Sequence, residues 1–351
     1  MDRWKTLAGR RVLLTGHTGF KGAWLALWLD RLGAEVFGFA LPPEGDASLY
    51  ELARVGERLN STFGDLNDFP SVEAAVAKAR PHIVLHLAAQ AIVRRSHADP
   101  LGTFATNVMG AVHLLQALRG APDVSTILVV TSDKVYANDE LGAAFAEDAP
   151  LGGKDPYSAS KAAAELVTRA YTQSFFKDAS VKVVTARGGN VIGGGDYAAD
   201  RIVPDIVRAA AKSERPILRM PHATRPWQHV LDCLHGYLTY VDALERGESL
   251  PDTLNFGPDP TAPITVSELT EEMLKALGRE ASYDHQPTDS REMHVLAVDS
   301  SRARALLNWR DRLPGRLAIN WTADWYRDAL AGSGPLAATL AQIDAFEKLP
   351  G

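Results

Sequence analysis

The stretch Arg11-Val12-Leu13-Leu14-Thr15-Gly16-His17-Thr18-Gly19-Phe20-Lys21-Gly22 decides the fold. Arg11 to Thr15 reads as a short buried strand. Val12, Leu13 and Leu14 form the continuous apolar run that a parallel sheet covered on both faces requires. Beyond the loop, Trp24, Leu25, Leu27, Trp28 and Leu32 mark a helix. Glycines 16, 19 and 22 therefore stand at a strand-to-helix turn. There Gly16 permits the tight turn, Gly19 lets a pyrophosphate approach the backbone, and Gly22 lets helix and sheet pack closely. The phosphate would rest on the helix N-terminus, where free N–H groups point at it. Gly16, Thr18, Gly19, Phe20 and Gly22 are the candidate cofactor contacts. A purely structural turn is the alternative, and the strand before and helix after argue against it.

The same strand–helix rhythm continues outward. Glu35 to Ala40 reads as a second strand. Its end, Phe39-Ala40-Leu41, carries neither an acid for a ribose 2′-hydroxyl nor an Arg for a 2′-phosphate, although Glu44 and Asp46 lie just beyond. The absence of a nearby Arg favours NAD. Leu59 to Phe63 is a further short strand. Asp65 and Leu66 follow it, and Asp65 suits either an adenine amino group or a turn. Ser71 to Arg80 reads as a helix and Ile83 to Leu87 as a buried strand. Leu87, Ala88, Ala89 and Gln90 then offer small residues for a cofactor to lie against. Arg94 and Arg95 suit a phosphate-bearing substrate or plain solvated charge. Thr103 to Leu118 reads as one long helix. Its Asn107 either steadies the backbone around a catalytic helix or simply caps, and its His113 is read as structural.

Thr126 to Val130 ends in Thr131-Ser132-Asp133-Lys134. Ligands bind at the carboxyl ends of strands in such sheets, and an acid and an amine together there look like acid/base machinery. A salt bridge at a loop mouth is the alternative. Next comes Asp155-Pro156-Tyr157-Ser158-Ala159-Ser160-Lys161. Tyr157 and Lys161 are four apart and share one helix face. A Tyr ionises near pH 10 unperturbed, and a neighbouring ammonium favours the phenolate. Val181 to Ala186 is the last clear strand, and Gly193-Gly194-Gly195-Asp196 reads as a flexible turn.

After about residue 190 the rhythm weakens. A capped helix is expected over 200–208. Arg219, Arg225, Trp227, Gln228 and His229 mix cations with an aromatic ring, as suits a nucleotide base and diphosphate or ordinary surface. The segment 251–263 reads as a loop and 264–277 as a helix capped by Thr265 or Ser267. Arg291 stands in a later loop, and helices are expected over 300–307 and 321–330. The expected architecture is α/β, a doubly wound parallel sheet of Rossmann type. Residues 1–190 would bind the cofactor, with segments of about 228–258 returning to them. Residues 191–351 would mainly bind substrate.

Composition narrows the class. The 351 residues are 46% hydrophobic, enough for one large or two small domains. A net charge of −6 argues against nucleic acid as partner. One cysteine, Cys233, excludes a disulfide within the chain and fits a reducing, cytoplasmic setting. The apolar run from Ala23 to Leu32 is broken by Asp30 and too short to span a bilayer, so no membrane partner is expected. No metal site is read.

Together the glycine loop, the Ser-Asp pair after a later strand and Tyr-x-x-x-Lys resemble the extended short-chain dehydrogenase/reductase family. Within it the chain is similar to the CDP-glucose 4,6-dehydratase branch. The likeness runs through TGHTGFKGAWLALWL (15–29), HLAAQAIVRRS (86–96), TFATNVMGAVHLL (103–115), VTSDKVYAN (130–138), PLGGKDPYSASKAAAELV (150–167), ARGGNVIGGGD (186–196), DRIVPDIVRA (200–209) and PHATRPWQHVLD (221–232). It implies a Rossmann fold with a smaller C-terminal substrate domain, NAD as cofactor and a nucleotide sugar as substrate. Tyr157, with Lys161, would take the C4 hydroxyl proton. Ser132 would bond the C4 oxygen, and Asp133 would be the acid at the C6 hydroxyl. Lys134 would be base or electrostatic partner at C5. Arg201, Arg208, Arg219 and Arg291, with Arg94, Arg225 and Asn190, would hold the substrate. The Asn107 and Tyr157 helices would pair two subunits through a four-helix bundle, giving a homodimer or a dimer of dimers.

The chain departs from the pattern at Val135-Tyr136-Ala137-Asn138, across 141–147, and at Gly189, where an Ala is usual unless the pair is shifted by one. Two other readings compete: an epimerase or reductase on the same fold, which needs no acid/base pair for elimination, and a catalytically silent dinucleotide-binding scaffold.

Overall fold

Val12 and Leu14 pack into one hydrophobic cluster and Leu13 into a second, on the opposite face of the sheet. This is why the first strand is apolar throughout instead of alternating. The computed structural model describes residues 4–44, 47–138, 142–177, 180–259, 263–286 and 296–350. Seven strands form the central sheet: β1 (Arg11–Thr15), β2 (Glu35–Ala40), β3 (Asn60–Phe63), β4 (Ile83–His86), β5 (Thr126–Val130), β6 (Lys182–Gly188) and β7 (Thr253–Phe256). Their order is β7-β6-β5-β4-β1-β2-β3, and every neighbouring pair is parallel.

The chain leaves β1 toward β2 and β3, then returns to place β4 on the other side of β1. The crevice between the carboxyl ends of β1 and β4 is the switch point at which such sheets bind ligands. Helix α1 (Phe20–Arg31) leads from β1 and buries Trp24, Leu25, Leu27 and Trp28 on one face of the sheet. On the other face lie α2 (Phe69–Ala79), α3 (Gly110–Leu118) and α4 (Pro156–Tyr171), packing Val72, Val76, Leu114 and Leu115 against Leu13, Val84 and Ile127. The later helices include α5 (Ile202–Lys212), α6 (Val230–Glu245), α7 (Val266–Ala276), α8 (Arg316–Asp328) and α9 (Pro335–Glu347), with a shorter one over Ser301–Leu307. Helix α9 reaches back to α1, where Trp28 Nε1 donates to Glu347 Oε1 at 2.7 Å and its ring meets Phe346 edge-on.

Four local expectations change. Thr253–Phe256, expected as loop, is the edge strand β7, with Leu254 and Phe256 fully buried. Four residues between Pro251 and Gly257 are too few to show a period. The helix expected over 103–118 is interrupted by a π turn, Ala105–Met109, which contains Asn107. Such turns collect at functional sites. The triple-glycine turn is packed, not flexible: a Cβ on Gly194 would lie 2.0 Å from the Trp325 ring. Helix α5 begins at Ile202, and its N-cap Arg201 supplies no capping bond. Thr265, of the two candidates, caps α7 in a capping box with Glu268. Among the described residues no helix is long and apolar enough to cross a membrane, and no group of three or more His, Cys, Asp or Glu could hold a metal.

Candidate active site

A cavity of about 1300 Å³ opens at the carboxyl ends of the strands. Its inner wall is formed by Lys21, Ser132, Asp133, Lys134, Tyr157 and Asn190. Each is delivered by an element whose sequence fixes it. Ser132 and Asp133 leave β5 at its end, where Lys134 N donates to Ser132 Oγ at 3.2 Å. Tyr157 stands in the first turn of α4. Asp155 and Ser158 close a capping box there, and Pro156 occupies the first turn, where no backbone N–H is missed.

Burial governs the chemistry of these groups. Tyr157 is 8% exposed, and desolvation pushes its phenol up to about 12. Asp133 and Asp155 push the same way, while the hydrogen bond with Ser132 and the charge of Arg201 oppose them. Asp133 is also raised, by burial first, with Lys134, Ser132, Lys21 and Arg225 opposing. Its Oδ1 accepts from Ser132 Oγ at 3.0 Å, and among the described residues its Oδ2 has no partner. Burial and the charge of Lys21 pull Lys161 down to about 7, against the charge of Glu165. Its Nζ donates to Val130 O at 3.1 Å, not to the phenol. A buried carboxyl that holds its proton more tightly than usual can give it up at one point, while the Tyr157 oxygen, as phenolate, can take one at another.

Asn107 answers the question left open by sequence. Its Oδ1 accepts from Gln90 N at 2.8 Å, and its Nδ2 donates to Gln90 O and to Ser160 Oγ. Ser160 Oγ in turn donates to Tyr157 O at 2.7 Å. One side chain thereby ties the turn after β4 to the Tyr157 helix.

The glycine loop fits a dinucleotide. Gly16 has φ +79°, and a Cβ there would lie 2.7 Å from Ala88 N, so the ends of β1 and β4 meet at backbone distance. A Cβ on Gly22 would lie 2.0 Å from Gly16 O. Helix α1 has Gly19 at its N-cap and no side-chain cap, leaving its first N–H groups for an anion. Thr18 Oγ1 donates to Leu41 O, closing the loop onto the end of β2. Asp65 accepts from Asn67 N, the turn role, and Leu66 is buried beside Gly110. An arginine does approach this end in space: Arg95 Nη1 pairs with Glu44 Oε1 at 2.7 Å. It comes from the segment after β4, so its distance along the chain hid it, and Glu44 meets its charge.

The cations divide. Arg94, Arg201, Arg219 and Arg225 line the cavity. Arg94 pairs with Asp200 at 2.5 Å, and Arg201 donates to buried Asp196 at 3.1 Å. Arg208 does not line the cavity; it donates to Asp205 and to Tyr197 O. Asn190 lines it with a buried Nδ2 that has no partner among the described residues. Arg291 lies outside the described residues. Sequence reasoning missed Lys21, whose ammonium sits 5.6 Å from the Tyr237 ring and acts on both Asp133 and Lys161. Its signal was a lone charge inside an otherwise apolar helix start. The cavity's acid partners, Asp196 and Asp200, were missed as well, because pairing across loops leaves no local pattern.

The family described as GDP-mannose 4,6 dehydratase matches residues 13–316. The chain belongs to that family. A CDP-glucose 4,6-dehydratase of Salmonella typhimurium is 39% identical over 348 residues, covering 96% of each chain. Among solved structures, a UDP-glucose 4-epimerase of Thermus thermophilus in complex with NAD is 28% identical, with a TM-score of 0.77 over 91% of this chain and 99% of its own. A dTDP-glucose 4,6-dehydratase of Bacillus anthracis in complex with NAD aligns with a TM-score of 0.75 over 90% and 96% at 21% identity, a likeness of fold. Extended short-chain dehydrogenase/reductase architecture, expected from the motifs, is therefore the fold of this GDP-mannose 4,6-dehydratase family member.

Proposed function

We propose that this chain is a nucleotide-sugar 4,6-dehydratase that converts CDP-glucose to CDP-4-keto-6-deoxyglucose and water, with NAD as its resident cofactor. One observation carries the reading. A buried carboxyl, Asp133, stands in the cavity wall with an oxygen that has no partner among the described residues, beside Ser132, Tyr157 and the amine of Lys134. Moving a proton at C4 alone needs only a phenol and a hydroxyl. An acid and an amine in addition suit loss of water across C5 and C6. The 39% identity over nearly the whole chain to a protein named for that reaction points to CDP-glucose.

Gly16, Thr18, Gly19, Phe20 and Gly22 would hold the pyrophosphate, with Asp65 and Leu66 at the adenosine end. Leu87, Ala88, Ala89 and Gln90 would lie along the cofactor. NAD bound there supplies the reversible oxidant that C4 needs and C6 later uses. The chain's own residues do the rest. Tyr157, in its phenolate form, accepts the C4 hydroxyl proton while Ser132 holds that oxygen. Once C4 is a ketone, its α-proton at C5 is acidic, and Lys134 removes it or stabilises the charge. Asp133 gives its proton to the departing C6 hydroxyl. Arg94, Arg201, Arg219 and Arg225 hold the diphosphate and nucleotide. Residues 1–190 with the returning strand β7 serve the cofactor, and residues 191–351 mainly the substrate.

Two copies would pair through the helices at 100–118 and 156–176. These leave Leu101, Phe104, Met109, Leu166 and Phe175 exposed on the surface. The setting would be the cytoplasm and the product a precursor of deoxysugars such as those of lipopolysaccharide O-antigen. The test is incubation with CDP-glucose, dTDP-glucose, UDP-glucose and GDP-mannose, with products read by mass. Loss of one water and a new ketone from CDP-glucose is expected. No such product from any of the four refutes the reading.

A further inference from the structure

We infer that Glu165 and Arg187, neither of which lines the cavity, are the positioning pair of this active site: they hold the Ser132-Asp133 corner against the Tyr157 helix and keep a negative charge beside the Lys161 side chain. The inference rests on the dehydratase reading above.

Tyr157, Lys161 and Glu165 follow one another at four-residue steps along α4, so all three share a face. Glu165 is thus one turn beyond Lys161. Glu165 and Arg187 are each 4% exposed, and all five polar atoms of the pair are satisfied. Glu165 Oε1 accepts from Thr131 Oγ1 and from Arg187 Nε at 3.0 Å. Its Oε2 accepts from Thr185 Oγ1 and Arg187 Nη2, both at 2.9 Å. Arg187 Nη1 then donates to Tyr136 Oη at 2.8 Å and to Glu147 O at 3.0 Å. Tyr136 Oη passes the chain on to Asn255 Oδ1 at 2.6 Å. Helix α4, the ends of β5 and β6, the segment around Glu147 and strand β7 all meet on this one pair.

Stability alone is a poor reason for the arrangement. A buried ion pair is often matched or exceeded by well-packed apolar residues. What apolar packing cannot do is fix directions, and the directions here are those of the reacting groups. Thr131 immediately precedes Ser132, so the bond from its hydroxyl sets where the corner turns. Electrostatics add a second effect. Among the described residues, the charged groups acting on Lys161 are Lys21 from the start of α1 and Glu165, with Arg187 paired behind Glu165; Lys161 acts in turn on His86 from β4, and Tyr157 lies one turn back on the same helix face. His86 is neutral, pulled down to about 3 by burial. Lys21 disfavours the ammonium and Glu165 favours it.

The test compares wild type with Glu165→Gln and Thr131→Val, using holoenzyme and CDP-glucose. Gln keeps the shape and loses the charge; Val keeps the charge and loses the tie to the corner. For Glu165→Gln, kcat should fall about tenfold or more with KM changed by less than about threefold, as for a group acting on the reacting geometry. The alkaline limb of its kcat–pH profile should move down by about half a unit or more, as loss of a close opposite charge requires. For Thr131→Val, kcat should fall while the limb stays in place. NMR of isotope-labelled lysine reads the Lys161 ionisation directly and needs no turnover. Wild-type kcat and an unmoved Lys161 titration in Glu165→Gln overturn the inference. Should that variant not fold, wild-type kcat in Thr131→Val overturns it. A wild-type protein inert toward every nucleotide hexose instead refutes the dehydratase reading, and the lysine titration still decides the charge effect.

Discussion

Replacing Asp133 by Asn separates a dehydratase from its relatives on the same fold. The change is isosteric, and the amide oxygen can still accept the bond that Ser132 Oγ gives to Oδ1. The corner should therefore keep its shape. What is lost is a proton donor at a buried position whose second oxygen has no partner among the described residues. A positioned general acid contributes roughly 10²- to 10⁴-fold, or about 3–5 kcal/mol of barrier. Expulsion of hydroxide from C6 without it should drop kcat by that factor, with KM nearly unchanged. Oxidation at C4 does not use this carboxyl, so reduced nicotinamide absorbance should appear on adding CDP-glucose and persist. Stability gives an independent check. Burial raises the folded pKa of Asp133 above its unfolded value. The folded state then holds its proton more tightly, and its stability falls as pH rises past the ordinary carboxylate range. Asn carries no such cost, so the variant should melt higher than wild type at pH 8, and the gap should close near pH 4. A kcat within about threefold of wild type would refute the acid role. A variant less stable than wild type at pH 8 would refute the burial argument.

Further outcomes follow from other positions. Lys161 has a folded pKa near 7, far below its unfolded value, so the folded state binds fewer protons between about 7 and about 10.5. Its contribution to stability should rise with pH across that window, and kcat should decline above about pH 7 as the ammonium is lost; Lys161→Met should abolish both trends in melting and rate profiles. Gly22→Ala forces a Cβ to within 2.0 Å of Gly16 O, so the loop must shift and NAD retention, read by absorbance of purified protein, should be lost. Overpacking of this kind costs about 1–3 kcal/mol, and full NAD content with unchanged melting would contradict the close packing described. Leu166→Asp places a charge on an exposed apolar face of α4; sedimentation should show a mass near that of one chain, and an unaltered oligomer would remove that face from the interface.

The sheet was legible in sequence because its signals are local. β1, the glycine loop and α1 lie within about twenty consecutive residues, and each states its own requirement: an apolar run, a residue without Cβ, a helical period. Tyr157, Lys161, Ser132 and Asp133 stood out as candidates for the same reason, since each pair lies within one turn or one strand end. The edge strand β7 was not, being four residues long between a Pro and a Gly. The π turn at Asn107 left no pattern either, because helical periodicity survives one extra residue in a turn.

What remained hidden shares one physical property. Glu165 meets Arg187 from 22 residues away, Tyr136 meets Asn255 from 119, and Arg94 meets Asp200 from 106. A charge on a strand or helix looks the same in sequence whether water or an opposite charge will meet it. The fold makes the difference, and only after β5, β6 and α4 are in place. Yet the sequence did hold a clue at Arg187. A lone cation at the end of the apolar strand Val183-Val184-Thr185-Ala186 enters a sheet covered on both faces, where a charge cannot stay unpaired without a penalty of several kcal/mol. That rule demands a buried acid within reach. Glu165, the one acid in α4, meets the demand. A charge inside a buried strand is therefore a long-range constraint written locally, and in this chain it points from the sheet to the helix that carries the reacting phenol.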